Sequence, residues 1–233
     1  MRPLLALCGI ALFACASAQA AGVPLTPQVT QIPEPVSWTS YGGENQLQNA
    51  AWSRSLTRAG VKTLAPVWKT KLDGRIYASP LAFNVGGRRF VFVATEGGTV
   101  YALDGADGKI VWQTYVGTVV TPECGTWGVT STGAISRMGR VLYVIGATGA
   151  LHALALDTGA DVAGFPKQIV DHPEYEYVWG GLRIAAGRLY VPVASYCDVG
   201  APDGFFPEGG LITVPLADPD SPDEWDEIGR AHV

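Results

Sequence analysis

Histidine, methionine and charge are all scarce in this chain of 233 residues. It has three histidines, two methionines and four cysteines, and charged residues make up 16%. Only His152 and His172 lie outside the last two residues before the C-terminal Val233, too few for a zinc site built from imidazoles. Sixteen basic residues against 21 acidic ones give a net charge of −5, which excludes nucleic-acid binding driven by bulk charge. No apolar run reaches the ~20 residues that a membrane-spanning helix needs. There is no G-x-S-x-G, no H-E-x-x-H, no Walker loop and no G-x-G-x-x-G after a strand. Serine hydrolases, zinc proteases, nucleotide hydrolases and nicotinamide enzymes of the usual kinds are therefore disfavoured. What is plentiful is turn-formers and apolar side chains: 29 glycines, 16 prolines, seven tryptophans and 48% hydrophobic residues. Such a chain buries a core rather than remaining disordered.

The ends read differently from the body. Arg2 followed by the apolar stretch Leu4 to Ala14 and by Ala18-Gln19-Ala20 has the form of a secretory leader over residues 1–20. A lipoprotein signal with Cys15 lipidated is the rival reading. Either places the protein in the periplasm or outside the cell. Residues 228–233, Ile-Gly-Arg-Ala-His-Val, back-translate to a widely used sequencing-library adapter, and they are set aside as an artefact. Cys8 and Cys15 fall in the leader, which leaves Cys124 and Cys197 to pair in an oxidising compartment.

Between the ends the signals are those of strands. Arg89 to Ala94 is β-branched and aromatic, Gly97-Gly98 turns it into Thr99 to Leu103, and Asp107-Gly108 turns that into Lys109 to Val116. The pattern returns: Gly98 and Gly149, like Gly108 and Gly159, are 51 residues apart. A third copy runs from Trp179 through Arg188 to Val193 and resumes at Gly210 to Val214. Repeats of about 40–50 residues with four short strands are the sequence form of propeller blades. The expected fold is all-β, a β-propeller. Its parts would be an N-terminal extension and lead-in at 21–65, blades within 66–218 (about 76–118, 127–170 and 177–218) and an acidic linker at 219–227. Three blades do not close a ring, so the chain is expected to be an N-terminal piece of an eight-bladed one.

The segment Ala102-Leu103-Asp104-Gly105-Ala106-Asp107-Gly108-Lys109-Ile110-Val111-Trp112 fits A-x-D-x-x-x-G-K-x-x-W. It resembles the tryptophan-docking repeat of pyrroloquinoline quinone (PQQ) type propellers, the fold of quinoprotein alcohol dehydrogenases. Trp38 to Gly43 and Leu64 to Trp68 resemble the lead-in of the same proteins. The resemblance implies structural roles for Trp112, Trp68, Asp104, Gly108 and Lys109, with the indoles wedged between blades. It also implies two functional readings. One is oxidation of a small alcohol or polymer such as polyvinyl alcohol, with PQQ and calcium as cofactors. The other is a non-catalytic scaffold that binds partner proteins, similar to the lipoprotein of outer-membrane assembly. Many catalytic members cover the quinone with a disulfide between adjacent cysteines, whereas here the corresponding pair is Glu123-Cys124.

Strand alternation puts the loops between fourth and first strands on the same face as those between second and third strands. Cys124 and Cys197 share that face. The candidate cofactor-binding residues there are Glu123, Trp127, Thr130, Ser131, Trp179 and Asp198, with Tyr196 beside them. Tryptophan offers a stacking surface and carboxylates offer hard oxygen ligands for calcium. The alternative is that Trp127 and Trp179 fill the centre of the disc while the carboxylates are solvated. No catalytic base and no metal ligand is assigned from sequence.

Overall fold

The structure is a computed structural model. It describes residues 37–43, 49–50, 56–121, 124–195, 200–207, 209–217, 220 and, for the backbone, 223–226. The leader and the adapter-like tail lie outside these residues, whereas the expected acidic linker at 219–227 is described in part, and its residues Asp223–Asp226 form a strand of the third sheet rather than a linker. The described residues belong to the unit Glu34–Val233. The one helical turn among them is a 3-10 turn at Gly60–Thr63, and no described helix is long and apolar enough to cross a membrane.

The first sheet is an antiparallel meander of β1 (Leu81–Val85), β2 (Arg88–Ala94), β3 (Thr99–Asp104) and β4 (Ile110–Tyr115). A small hairpin follows, β5 (Val119–Thr121) with β6 (Gly125–Trp127). The second meander is β7 (Ala134–Ser136), β8 (Val141–Ile145), β9 (Ala150–Ala155) and β10 (Lys167–Gln168). The third comprises β12 (Arg183–Ala185), β13 (Arg188–Ser195), β14 (Gly210–Pro215) and β15 (Asp223–Asp226). A short β11 (Glu176–Tyr177) pairs with the far end of β13.

Every residue of β8 is buried, because the middle sheet is covered on both faces. Side chains alternate sides along a strand. Leu142 and Val144 accordingly pack with Phe92 and Trp112 of the first sheet. Val141, Tyr143 and Ile145 pack with Leu189, Val191 and Ile212 of the third. Each fully buried aliphatic side chain contributes about 1.5–3 kcal/mol, so neither face is dispensable. This is the arrangement of propeller blades, each leaning on its neighbours.

Trp112 lies on β4, and its indole N–H donates to the Leu156 carbonyl of the next blade at 3.0 Å. Two residues on, Thr114 Oγ1 donates to the Gly159 carbonyl at 2.6 Å. The contact recurs one blade earlier. Trp68 donates to the Gly105 carbonyl at 3.1 Å and Thr70 to the Gly108 carbonyl at 2.6 Å. Both glycines have φ of +72°, and a Cβ on either would overlap the docked indole. Glycine is required twice over, for its backbone conformation and for the ring that lies against it. The intervening turn is stiffened by Asp104, which accepts from the Ala106 N–H at 2.8 Å and pairs with Arg88 at 2.6 Å. Asp107 accepts from the backbone and the ammonium of Lys109.

Two further devices position the blades' first strands. Residues 38–41 run as a strap across three sheets. Trp38 bridges Ala82 of β1, the Thr39 carbonyl accepts from the Ile135 N–H at 2.8 Å, and Ser40 Oγ accepts from Arg183 at 2.8 Å. Asp73 is a latch between the chain ahead of β1 and the β2–β3 turn, accepting from Thr95 Oγ1 at 2.6 Å and Thr99 Oγ1 at 2.5 Å. Partial burial alone would raise its pKa, but the hydroxyls of Thr95, Thr99 and Tyr101 together outweigh that and hold the carboxyl below its ordinary value.

Trp112→Ala should cost about 3–5 kcal/mol in urea unfolding, and Trp112→Phe, which keeps most of the ring but loses the N–H, about 1 kcal/mol. Gly159→Ala should cost at least about 1–2 kcal/mol from its backbone conformation alone. A Trp112→Ala variant as stable as the parent would remove the docking contact from the account. For Asp73 the depressed pKa gives stability that is complete above the unfolded value of ~3.9 and vanishes as pH falls through the lower folded value. Urea midpoints at pH 7 and pH 3 should therefore differ less in Asp73→Asn than in the parent, with the variant the weaker of the two at pH 7.

Candidate functional site

The β2–β3 turn organises one face of the first two blades. The Thr95 carbonyl accepts from the Val129 N–H at 2.9 Å, and the Glu96 N–H donates to the Arg75 carbonyl at 2.8 Å. Gly74 on one side and Gly128 on the other lie so close to the backbone of Glu96 and Gly97 or Gly98 that a Cβ on either would overlap it. The residues that follow these glycines lead into the first strands of their blades, and the close approach fixes where their side chains emerge.

Strand register shows that Tyr77, Thr130 and Trp179 are equivalent. Each stands four residues ahead of a first strand whose opening residue (Leu81, Ala134 or Arg183) faces Phe92, Tyr143 or Tyr190 of the second. Tyr77 and Trp179 are 48% and 42% exposed. Trp127, at the end of β6, fills the gap between them. Its ring centroid is 6.0 Å from Tyr77 and 5.4 Å from Trp179, and Tyr77 is 6.2 Å from Trp179. Tyr177 supports Trp179 from beneath at 5.4 Å and donates its hydroxyl to the Gly128 carbonyl. Tilted and edge-on pairs of this kind stabilise by roughly 0.5–1.5 kcal/mol each beyond their burial. Arg75 borders the cluster. A hydrogen bond with Tyr77, and then the charges of Tyr77 and Glu96, hold its pKa above the ordinary value.

The candidate residues separate clearly. Trp127 and Trp179 come together in the aromatic cluster, and the Trp127 N–H is anchored on the Cys124 carbonyl at 3.0 Å across the hairpin tip. Thr130 and Ser131 are buried, with 4% and 2% exposure, and Thr130 Oγ1 donates to the Val178 carbonyl at 3.1 Å. The Thr130 bond joins the lead-in of the second blade to that of the third. Thr132 does the same, its hydroxyl accepting from the Ser79 N–H and its carbonyl from the Leu182 N–H. Glu123, Tyr196, Cys197 and Asp198 lie outside the described residues. Cys124, in the turn between β5 and β6, is disulfide-bonded. Tyr77 and Tyr177 were not singled out as site residues from sequence. The register position that Tyr77 shares with Trp179 is the signal that finds it.

A quinone held between two indoles needs two roughly parallel faces about 7 Å apart, twice the ordinary stacking distance. Trp127 and Trp179 are instead inclined at 76° and in contact with each other. The hydroxyls of Thr130 and Ser131 are enclosed between blades, and among the described residues no group of three His, Cys, Asp or Glu side chains is arranged to hold a metal ion. The described side chains therefore leave no slot between Trp127 and Trp179. They form an open aromatic platform.

No curated protein matches the chain in sequence. Among solved structures, it is similar to the quinohemoprotein alcohol dehydrogenase ADHIIG from Pseudomonas putida HK5, at 19% identity and a TM-score of 0.59 over 80% of this chain and 26% of that one. The quinohemoprotein alcohol dehydrogenase from Comamonas testosteroni gives 16% identity and a TM-score of 0.60 over 83% and 27%. BamB from Moraxella catarrhalis gives 24% identity and a TM-score of 0.46 over 66% and 41%. The chain thus spans less than half the length of each. The likeness to the two dehydrogenases shows the fold, a PQQ-type β-propeller, and the described residues hold three of its four-stranded sheets. The family model described as outer membrane protein assembly factor BamB matches residues 49–166, just over half of the chain. With its docked tryptophans and glycine turns, the chain belongs to that PQQ-repeat propeller family.

Proposed function

We propose that this chain is part of an exported propeller that binds a partner polypeptide through the platform of Tyr77, Trp127 and Trp179. The observation that carries the reading is the platform itself. Three aromatic rings from successive blade lead-ins are held side by side by backbone contacts that tolerate no Cβ, and two of them are nearly half exposed. Exposed aromatic clusters on a rigid support are what binding surfaces use, because Tyr and Trp supply large contact areas at small entropic cost. The description of the matching family, an outer membrane protein assembly factor, supports the same reading and suggests an unfolded outer-membrane β-barrel polypeptide as the partner. The leader-like residues 1–20 support an extracytoplasmic location, and we assign the disulfide of Cys124 to Cys197, which would tether the β5–β6 hairpin carrying Trp127.

Alcohol oxidation with PQQ and calcium is the second reading, favoured by the exposure of the Trp179 indole, an aromatic surface on which a flat heterocycle stacks. Glu123 and Asp198 would then be the oxygen donors.

Titration with a denatured β-barrel polypeptide, followed by tryptophan fluorescence, separates the two. Partner binding predicts that Trp179→Ala and Tyr77→Ala each lose at least about tenfold in affinity while both variants keep the parent's far-UV circular dichroism and a cooperative melt. PQQ and calcium should neither saturate the fluorescence nor support dye reduction by alcohols. PQQ-dependent dye reduction, or unaltered polypeptide affinity in both variants, would sink the scaffold reading.

A further inference from the structure

The segment between β13 and β14 forms a second, separate feature. Its described part, residues 200–207, is a closed loop. The Ala201 N–H donates to the Phe205 carbonyl at 2.6 Å, the Gly204 N–H to the Ala201 carbonyl at 3.0 Å, and the Phe205 N–H to the Asp203 carboxylate at 3.1 Å. A Cβ on Gly200 would press on the Phe206 ring and the Phe205 carbonyl, so the loop is wound tightly around its own aromatics. It folds back onto the stretch that follows β10. Phe205 stacks on His172 at 4.2 Å with the planes 30° apart, and Tyr175 meets Phe205 edge-on at 6.5 Å.

Beneath this arch is a cavity of about 380 Å³. That volume is within the range of roughly 300–1,000 Å³ typical of ligand pockets. Its floor is the top of the core shared by the second and third blades, Val170, Val193 and Ile212. Asp171 and Glu176 supply carboxylates to the wall, and Phe206, 59% exposed, closes the opposite side. Among the described residues no lysine or arginine lines the cavity, where His172 is the one imidazole, and nearby Lys167 is paired with Asp220. The wall is thus anionic and aromatic over an aliphatic floor.

We infer that this cavity binds an organic cation with an apolar stem: an alkylammonium or guanidinium group whose chain lies on Val170, Val193 and Ile212 while its charge meets Asp171 and the face of Phe206. Complementarity is the reason. Carboxylates attract the head group, an aromatic face adds cation–π attraction, and the aliphatic floor takes methylenes that water disfavours. A free amine and a basic side chain of a peptide present the same chemistry. The site is distinct from the aromatic platform and does not depend on what that platform binds.

Calorimetric titration of the whole chain with hexylammonium, with a capped lysine peptide, and with hexanol and hexanoate as neutral and anionic counterparts tests this. Saturable binding of the ammonium compounds, with hexanol and hexanoate silent, supports the inference. Tighter binding of hexylammonium assigns a free amine, and tighter binding of the peptide assigns a side chain. Asp171→Asn should weaken the cation about fivefold and Phe206→Ala about threefold, with thermal midpoints retained. Hexanoate binding as well as hexylammonium, absence of binding by either cation, or full affinity in a folded Asp171→Asn variant would overturn it. Loss of cation binding beside intact polypeptide binding at the platform would overturn this inference alone.

Discussion

An indole N–H donated to a carbonyl of the neighbouring blade, with the ring lying on a glycine that carries no side chain, is the contact on which the rest of this structure depends. A four-stranded sheet has two apolar faces and no means of covering either by itself. The docked Trp112 fixes the first blade against the second at the outer strand, where the sheets would otherwise splay. Once that distance is set, Leu142 and Val144 meet Phe92, and β8 is buried along its whole length. Trp68 repeats the contact against the first blade, so the same local chemistry operates twice in the described residues.

The contact also explains why so much of the fold was legible in the sequence. The Asp104 to Trp112 segment encodes a turn, a glycine of positive φ and an indole at fixed spacing, and all of its requirements are local. The strands read well for the same reason, since β2, β3 and β8 are short runs of β-branched and aromatic residues between glycine turns. The hairpin β5–β6 was less legible. Its residues read as a loop between fourth and first strands, and the pairing is only three residues deep.

The face that carries the site was legible only in outline. Trp127 and Trp179 stand out by residue type, but their mutual inclination depends on Gly128, Tyr177 and the β2–β3 turn, which meet only in the folded chain. Thr130 and Ser131 stand out in the sequence only as polar residues near a strand start. In the structure they serve backbone groups of the adjoining blade or are enclosed between blades. Tyr77 escaped notice because its neighbours lie about 50 and 100 residues away, beyond the reach of any local pattern. The cavity beneath Phe205 depends likewise on a loop returning to the end of the preceding blade.

The strap formed by residues 38–41 has its own effect. A first strand of a blade presents a free row of amides and carbonyls, the usual invitation for a foreign strand to add to a sheet. Here Trp38 exchanges both backbone hydrogen bonds with Ala82 and the Thr39 carbonyl accepts from Ile135, so the innermost margins of the first two sheets already have a tenant, while Ser40 holds the Arg183 side chain of the third. A foreign strand adding at either of these margins would first have to displace the chain's own residues 38 and 39.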